Sequence, residues 1–84
     1  MPDQIRLITQ ELDGRRIAYH SETVFRVQLG RGSKGSYSDR FRVIGNLAQA
    51  VLLFNGLNVG NGYKARLLME GANRLVLARK KAGN

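Results

Sequence analysis

The chain has no cysteine, one histidine, few acidic groups and no long apolar run, and each shortage removes a class of protein. Without cysteine there is neither a disulfide framework nor a thiolate zinc site, and the single imidazole, His20, does not by itself make a transition-metal site. The longest unbroken apolar run, Ala50 to Phe54, falls far below the ~20 residues that cross a bilayer. The start, Met-Pro-Asp-Gln, has neither the basic residues nor the apolar stretch of a signal peptide. A soluble cytoplasmic protein with no membrane contact and no cofactor is the expectation. Its 84 residues form one small α+β domain, 1–84, with 82–84 as a frayed tail. A core of that size is marginal, and with no disulfide or metal to help, association is the remaining support.

The shortage of acid is local. Residues 1–29 carry Arg6, Arg15, Arg16 and Arg26 against Asp3, Glu11, Asp13 and Glu22, and are neutral overall. Residues 30–84 carry ten basic groups against only Asp39 and Glu70, which accounts for the whole formal charge of +8. A field concentrated in this way favours polyanionic partners, with nucleic acid first and an acidic protein face after it. The competing reading is a surface charged only for solubility.

The one clearly helical segment is Leu47 to Leu57, LAQAVLLFNGL. At 100° per residue, Leu47, Ala50, Val51, Leu53, Phe54 and Leu57 share a stripe that suits packing on a sheet. Asn46 is placed to cap its first turn, and Gly56 to end it. Everything around it reads as strand. Asp13-Gly14 supplies the positive backbone angles of a tight hairpin turn between strands at about 5–12 and 16–20. A short helix over Asp3 to Leu12 competes for the first of these. Further strands are predicted at about 24–29, 37–44, 63–69 and 74–79, giving an antiparallel sheet of hairpins packed on one central helix. Gly30 to Ser36, GRGSKGS, and Asn58 to Gly62, NVGNG, are turns rich in glycine.

Strict alternation assigns the faces. Phe25, Val27 and Leu29, then Tyr37, Asp39, Phe41 and Val43, then Tyr63, Ala65, Leu67 and Met69, and finally Leu75 and Leu77, are predicted to face the helix. The opposite face then displays Arg26, Arg40, Arg42, Lys64 and Arg66, with Arg74 and Lys80 in the same phase. With Arg31 and Lys34 on the glycine loop and Lys80 and Lys81 in the basic tail, these residues make the candidate nucleic-acid surface. Arginine outnumbers lysine ten to four, and its planar fork suits phosphate oxygens. Because the aromatic residues fall in the core phase, stacking on single strands is disfavoured and contact with a duplex backbone fits better. The plain alternative is a solvated face that resists aggregation. GRGSKGS is not a Walker loop, since Lys34 is followed by Gly35 and then by a strand. A cationic loop that orders on a polyanion is the functional reading, and a simple hairpin connection the other.

Catalysis has little support in the sequence. His20 and Glu22 lie on one side of a strand end, but an exposed histidine explains them equally well. No paired carboxylates occur. The sequence reading is therefore a basic protein that binds nucleic acid and is not an enzyme. The alternatives are a protein-binding modulator, of the kind a mobile element uses to inhibit a host complex, and a small basic ribonuclease using Tyr37, Arg40 and Tyr63. Leu52 and Ala48 lie off the helix's main stripe, so either the amino-terminal hairpin or a second subunit is expected to cover them. This makes a homodimer interface at Leu52 and Ala48 the expectation.

Overall fold

A computed structural model describes residues 6–33, 35–71 and 73–82. The expected elements are all present in the expected order: β1 (Leu7–Leu12), β2 (Arg15–His20), β3 (Val24–Arg31), β4 (Tyr37–Ile44), α1 (Leu47–Gly56), β5 (Tyr63–Glu70) and β6 (Arg74–Lys81). Residue 5, where the first strand was expected to begin, lies outside the described residues. The segment 7–12 is a strand and not the competing helix. Asp13 and Gly14 have φ of +51° and +78°, the mirror-image turn that their side chains tolerate best. Asn46 caps α1 as expected, its Oδ1 accepting from the Gln49 N–H at 3.0 Å. At the other end, the Ala82 N–H donates to the Tyr63 carbonyl; of the expected frayed tail 82–84, residues 83–84 lie outside the described part.

The hairpins divide into two sheets. β1 and β2 pair only with each other, while β4, β3, β5 and β6 form a four-stranded antiparallel sheet in that order. The central strands are therefore β3 and β5, which pair across the connection carrying the helix. One face of this sheet holds the core. Phe25 and Val27 of β3 and Ala65 and Leu67 of β5 are completely buried there, beneath Leu47, Ala50 and Phe54 of α1. Val51, Leu53 and Leu57 complete the expected helical stripe at half burial.

The small hairpin shares that face with α1. It contributes Leu12, Ile17 and Tyr19 to the same core, and Tyr19 is its main tie. The Tyr19 ring meets Phe25 edge-on with centroids 4.9 Å apart. Its hydroxyl donates to Gln10 Oε1 at 2.6 Å and accepts the Leu47 N–H at 3.1 Å, an amide of the first helical turn that has no partner within the helix. The hairpin does not cover Leu52, which remains 68% exposed, and Ala48 is exposed as well.

Two bulges in the large sheet decide where its charges point. Between β3 and β4, Val27 pairs with Phe41 but the next residue, Gln28, pairs with Asp39, so Arg40 is an extra residue. Between β5 and β6, Leu67 pairs with Ala78 and Leu68 with Val76, so Leu77 is extra. Each inserted residue reverses the in-and-out phase of the rest of its strand. Arg15 of the small hairpin donates to the Leu77 carbonyl at the second bulge, satisfying an acceptor in that irregular part of the ladder.

Candidate nucleic-acid interface

The register places sixteen residues on the face away from the helix, in four cross-strand rows read from β4 to β6. The first row is Ile44, Val24, Glu70 and Arg74, and the second is Arg42, Arg26, Leu68 and Val76. The third is Asp39, Gln28, Arg66 and Arg79, and the fourth is Tyr37, Gly30, Lys64 and Lys81. Arg26, Arg42, Lys64, Arg66 and Arg74 thus face outward, as their strand positions suggested.

Four assignments are corrected by the bulges. Tyr37 and Asp39, expected to face the core, are on the outer face. Arg40 leaves it, lining instead a shallow depression with Phe41, Leu53 and Leu57 beside the helix. On β6 the outer positions past the bulge are Arg79 and Lys81, whereas Lys80 turns to the helix side. There its Nζ donates to the Phe54 carbonyl at 2.6 Å and lies 4.8 Å from the Phe54 ring centre, so its charge serves the negative end of the helix. Lys34 lies outside the described residues. Leu75, expected in the core, is half exposed, whereas Leu77 is buried.

In the upper two rows Arg26 and Arg74 are paired with carboxylates. Arg26 donates through Nε to Glu70 Oε1 at 2.7 Å and through Nη1 to Asp39 Oδ2. Gln28 holds the other Asp39 oxygen at 2.8 Å, and Arg74 approaches Glu70 at 3.5 Å. Both carboxylates of the basic half of the chain are thereby committed to Arg26. Its partner in the ladder on β5 is Leu68, which is only 2% exposed despite standing on the outer face. Arg26, expected as a free cation on this face, is thus paired within the fold.

This pairing sets an acid sensitivity. The Gln28 hydrogen bond, followed by Arg26, holds Asp39 below the ordinary carboxylate range, and Arg26 does the same for Glu70. Both groups bind protons more weakly in the folded chain than in the unfolded one. Their contribution is complete above the unfolded-state values near 4 and is lost as pH falls through the lower folded-state values. Urea midpoints measured from pH 7 down to acid should fall over this window in the native chain. In Arg26→Gln, which is less stable at pH 7, the fall should be shallower; an equal fall in both proteins would contradict the pairing.

The lower two rows are unsettled. Lys64 faces Lys81 and Arg66 faces Arg79 directly across the ladder. Among the described residues, every ion pair involves Arg26 or Glu70, and none reaches these four cations. Like charges in facing positions destabilise a sheet. Arg66 is nevertheless fixed: its Nε donates to Gln28 Oε1 at 2.7 Å and its guanidinium carbon stands 3.9 Å from the Tyr37 ring centre. That arrangement holds the fork in place with its terminal nitrogens uncommitted to any carboxylate. Lys64 stands 4.9 Å from the same ring centre. Gly30 makes this possible, since a Cβ there would press on the Tyr37 ring at 3.1 Å and the Lys64 stem at 3.2 Å.

The two glycine loops meet at this end of the sheet, the Gly32 N–H donating to the Gly62 carbonyl at 2.7 Å. Tyr63, expected in the core, lies in the helix-facing phase but past the end of the helix, and is 37% exposed. Arg31, its partner in the ladder, stands 5.7 Å from the ring centre. Phe25 and Phe41 keep the core phase, but Tyr37 and Tyr63 stand among the charges, and the reason for disfavouring stacked single strands falls away. The trio Tyr37, Arg40 and Tyr63 is not assembled as a catalytic group: Tyr37 is outward, Tyr63 is on the other face, and Arg40 is beside the helix. His20 is exposed, in a depression shared with Thr23, Met69 and Leu75, and no cluster of three metal-ligating side chains occurs among the described residues. No helix there is long and apolar enough to cross a membrane. Comparisons with protein-family models, with curated proteins and with solved structures return no match.

Proposed function

We propose that the protein binds nucleic acid through its phosphates, at the end of the outer sheet face whose facing cations join no ion pair among the described residues. The observation that supports this reading is the pair of uncompensated cation contacts, Lys64 against Lys81 and Arg66 against Arg79. The third facing pair of the sheet, Arg26 against Arg42, has two carboxylates at hand, so the fold can neutralise such a pair and leaves these two open. A polyanion relieves the repulsion that the free protein carries. Arg31, at the same end of the sheet, adds a fifth cation. Arg42 stands outside this group, near Asp39.

Binding of this kind is governed by release of counterions. If five cations each meet a phosphate, log affinity should fall with log salt at a slope of about −3.5 on single strands and about −4.5 on duplex. Fluorescence anisotropy with labelled oligonucleotides over a range of salt gives this slope. A slope near zero, or no affinity at low salt, would overturn the reading.

A further inference from the structure

The cationic group does not stop at the outer face. One depression is lined by Tyr37, Lys64, Arg79 and Lys81 together with Ala65 and Lys80 of the helix-facing side, and a second is lined by Tyr63, Lys64, Lys81, Gly32 and Gly62. They share Lys64 and Lys81, which point outward, whereas Tyr63 and Arg31 belong to the helix-facing side of the ladder. Together they form a track that begins at Tyr37, crosses two lysines, and turns over the end of the sheet to Tyr63. The two tyrosines are on strands two places apart, about 10 Å between backbones, and on opposite faces.

A duplex cannot follow such a path. Its persistence length is about 50 nm, so it lies across a flat face or a groove but does not fold over the rim of one sheet. A single strand turns freely at each phosphate, and its unpaired bases seek aromatic faces. Tyr63 offers one. It is over a third exposed, Gly60 lies alongside the ring without a side chain, and Arg31 stands over the ring at 5.7 Å from its centre, bringing a charge to where a flanking phosphate would pass. Tyr37 is differently occupied, because its ring carries Arg66 and Lys64 and so positions the cations that meet the backbone.

Resting on the phosphate-binding reading of the same residues, we propose that this end of the sheet takes single-stranded nucleic acid in preference to duplex, the strand crossing the rim with a base stacked on Tyr63. The test compares labelled oligo(dT) of about 15 nucleotides, within the span of known single-strand sites, with a blunt duplex of the same length, on the full chain at low salt. Oligo(dT) should bind at least tenfold more tightly. Tyr63→Leu should weaken oligo(dT) by about tenfold, the loss expected for one stacked base, while leaving its salt slope and the duplex affinity unchanged. Tyr63→Phe should restore the loss. Equal affinity for both forms, or an unchanged affinity in Tyr63→Leu, would overturn the single-strand proposal while leaving phosphate binding intact. Failure to bind either form would overturn both. Loss of duplex and single-strand affinity alike in Tyr63→Leu would also count against stacking, since it marks a disturbed sheet end.

Discussion

Replacing Arg79 and Lys81 together by glutamine is expected to weaken nucleic-acid binding by roughly a hundredfold at low salt, taking about 1.5 kcal/mol for each lost charge-assisted contact. These two are the most informative charges to remove. Among the described residues neither donates a side-chain hydrogen bond nor joins an ion pair, so their loss disturbs no internal contact. Each instead faces a like charge across the ladder, Arg79 opposite Arg66 and Lys81 opposite Lys64. Their removal should therefore leave thermal stability unchanged or slightly raised while binding collapses. Arg16→Gln, at an exposed position of the neutral hairpin, is the matched control and should cost little. Arg15→Gln is no such control, because Arg15 holds the Leu77 carbonyl and docks the hairpin. A stability loss in the double variant with affinity retained would assign these side chains a purely structural role.

The second large effect concerns the entry to the helix. Gly45 has φ of +66°, donates its N–H to the Thr23 carbonyl at 2.7 Å, and sits so close to Ser21 that a Cβ would overlap the Ser21 carbonyl oxygen. Two penalties therefore fall on one substitution, the left-handed backbone and a clash with main chain that cannot swing away. Gly45→Ala is expected to cost about 3 kcal/mol or more, a large part of the margin of a domain this size. Gly14 and Gly62 have similar φ, +78° and +82°, but open space where a Cβ would go. Alanine at either should cost only about 1 kcal/mol, the backbone penalty alone. Urea denaturation of the three variants separates the contributions, and equal losses would contradict the close approach at Ser21.

Most of the fold was legible because its signals are local. The apolar stripe of α1, its Asn46 cap, the Asp13-Gly14 turn and the alternation of β3 and β5 each depend on a few neighbouring residues, and each is as the sequence suggests. The pairing of β3 with β5, and the separation of the small hairpin, depend on contacts distant in sequence and carry no such mark. Phase was the harder matter. One extra residue in β4 and one in β6 reverse half of each strand, and strict alternation cannot register an insertion.

A sign of both bulges is nevertheless present in the residues themselves. In Tyr37 to Ile44, strict alternation puts Asp39 in the core phase beside Phe41 and Val43, and in Arg74 to Lys81 it puts Arg79 and Lys81 in line with Leu75 and Leu77. Charged side chains in a core phase are rarely tolerated, and a bulge is the ordinary way to turn them out. The same shift carries Tyr37 onto the basic face, where it supports Arg66. Arg26 illustrates the reverse case: its outward phase was correct, but its commitment to Asp39 and Glu70 depends on where β4 and β5 end up relative to β3.

Binding at the end of the sheet whose facing cations join no ion pair, as opposed to the whole arginine-bearing face, can be read in a single titration of isotope-labelled protein with oligo(dT) followed by amide chemical shifts. The expected result is a set of perturbed amides confined to Arg31–Gly32, Tyr37, Gly62–Arg66 and Arg79–Ala82, with Arg26, Arg42, Glu70 and Arg74 unmoved. Shifts spread along all four rows, or centred on Leu52 and the exposed side of the helix, would contradict it.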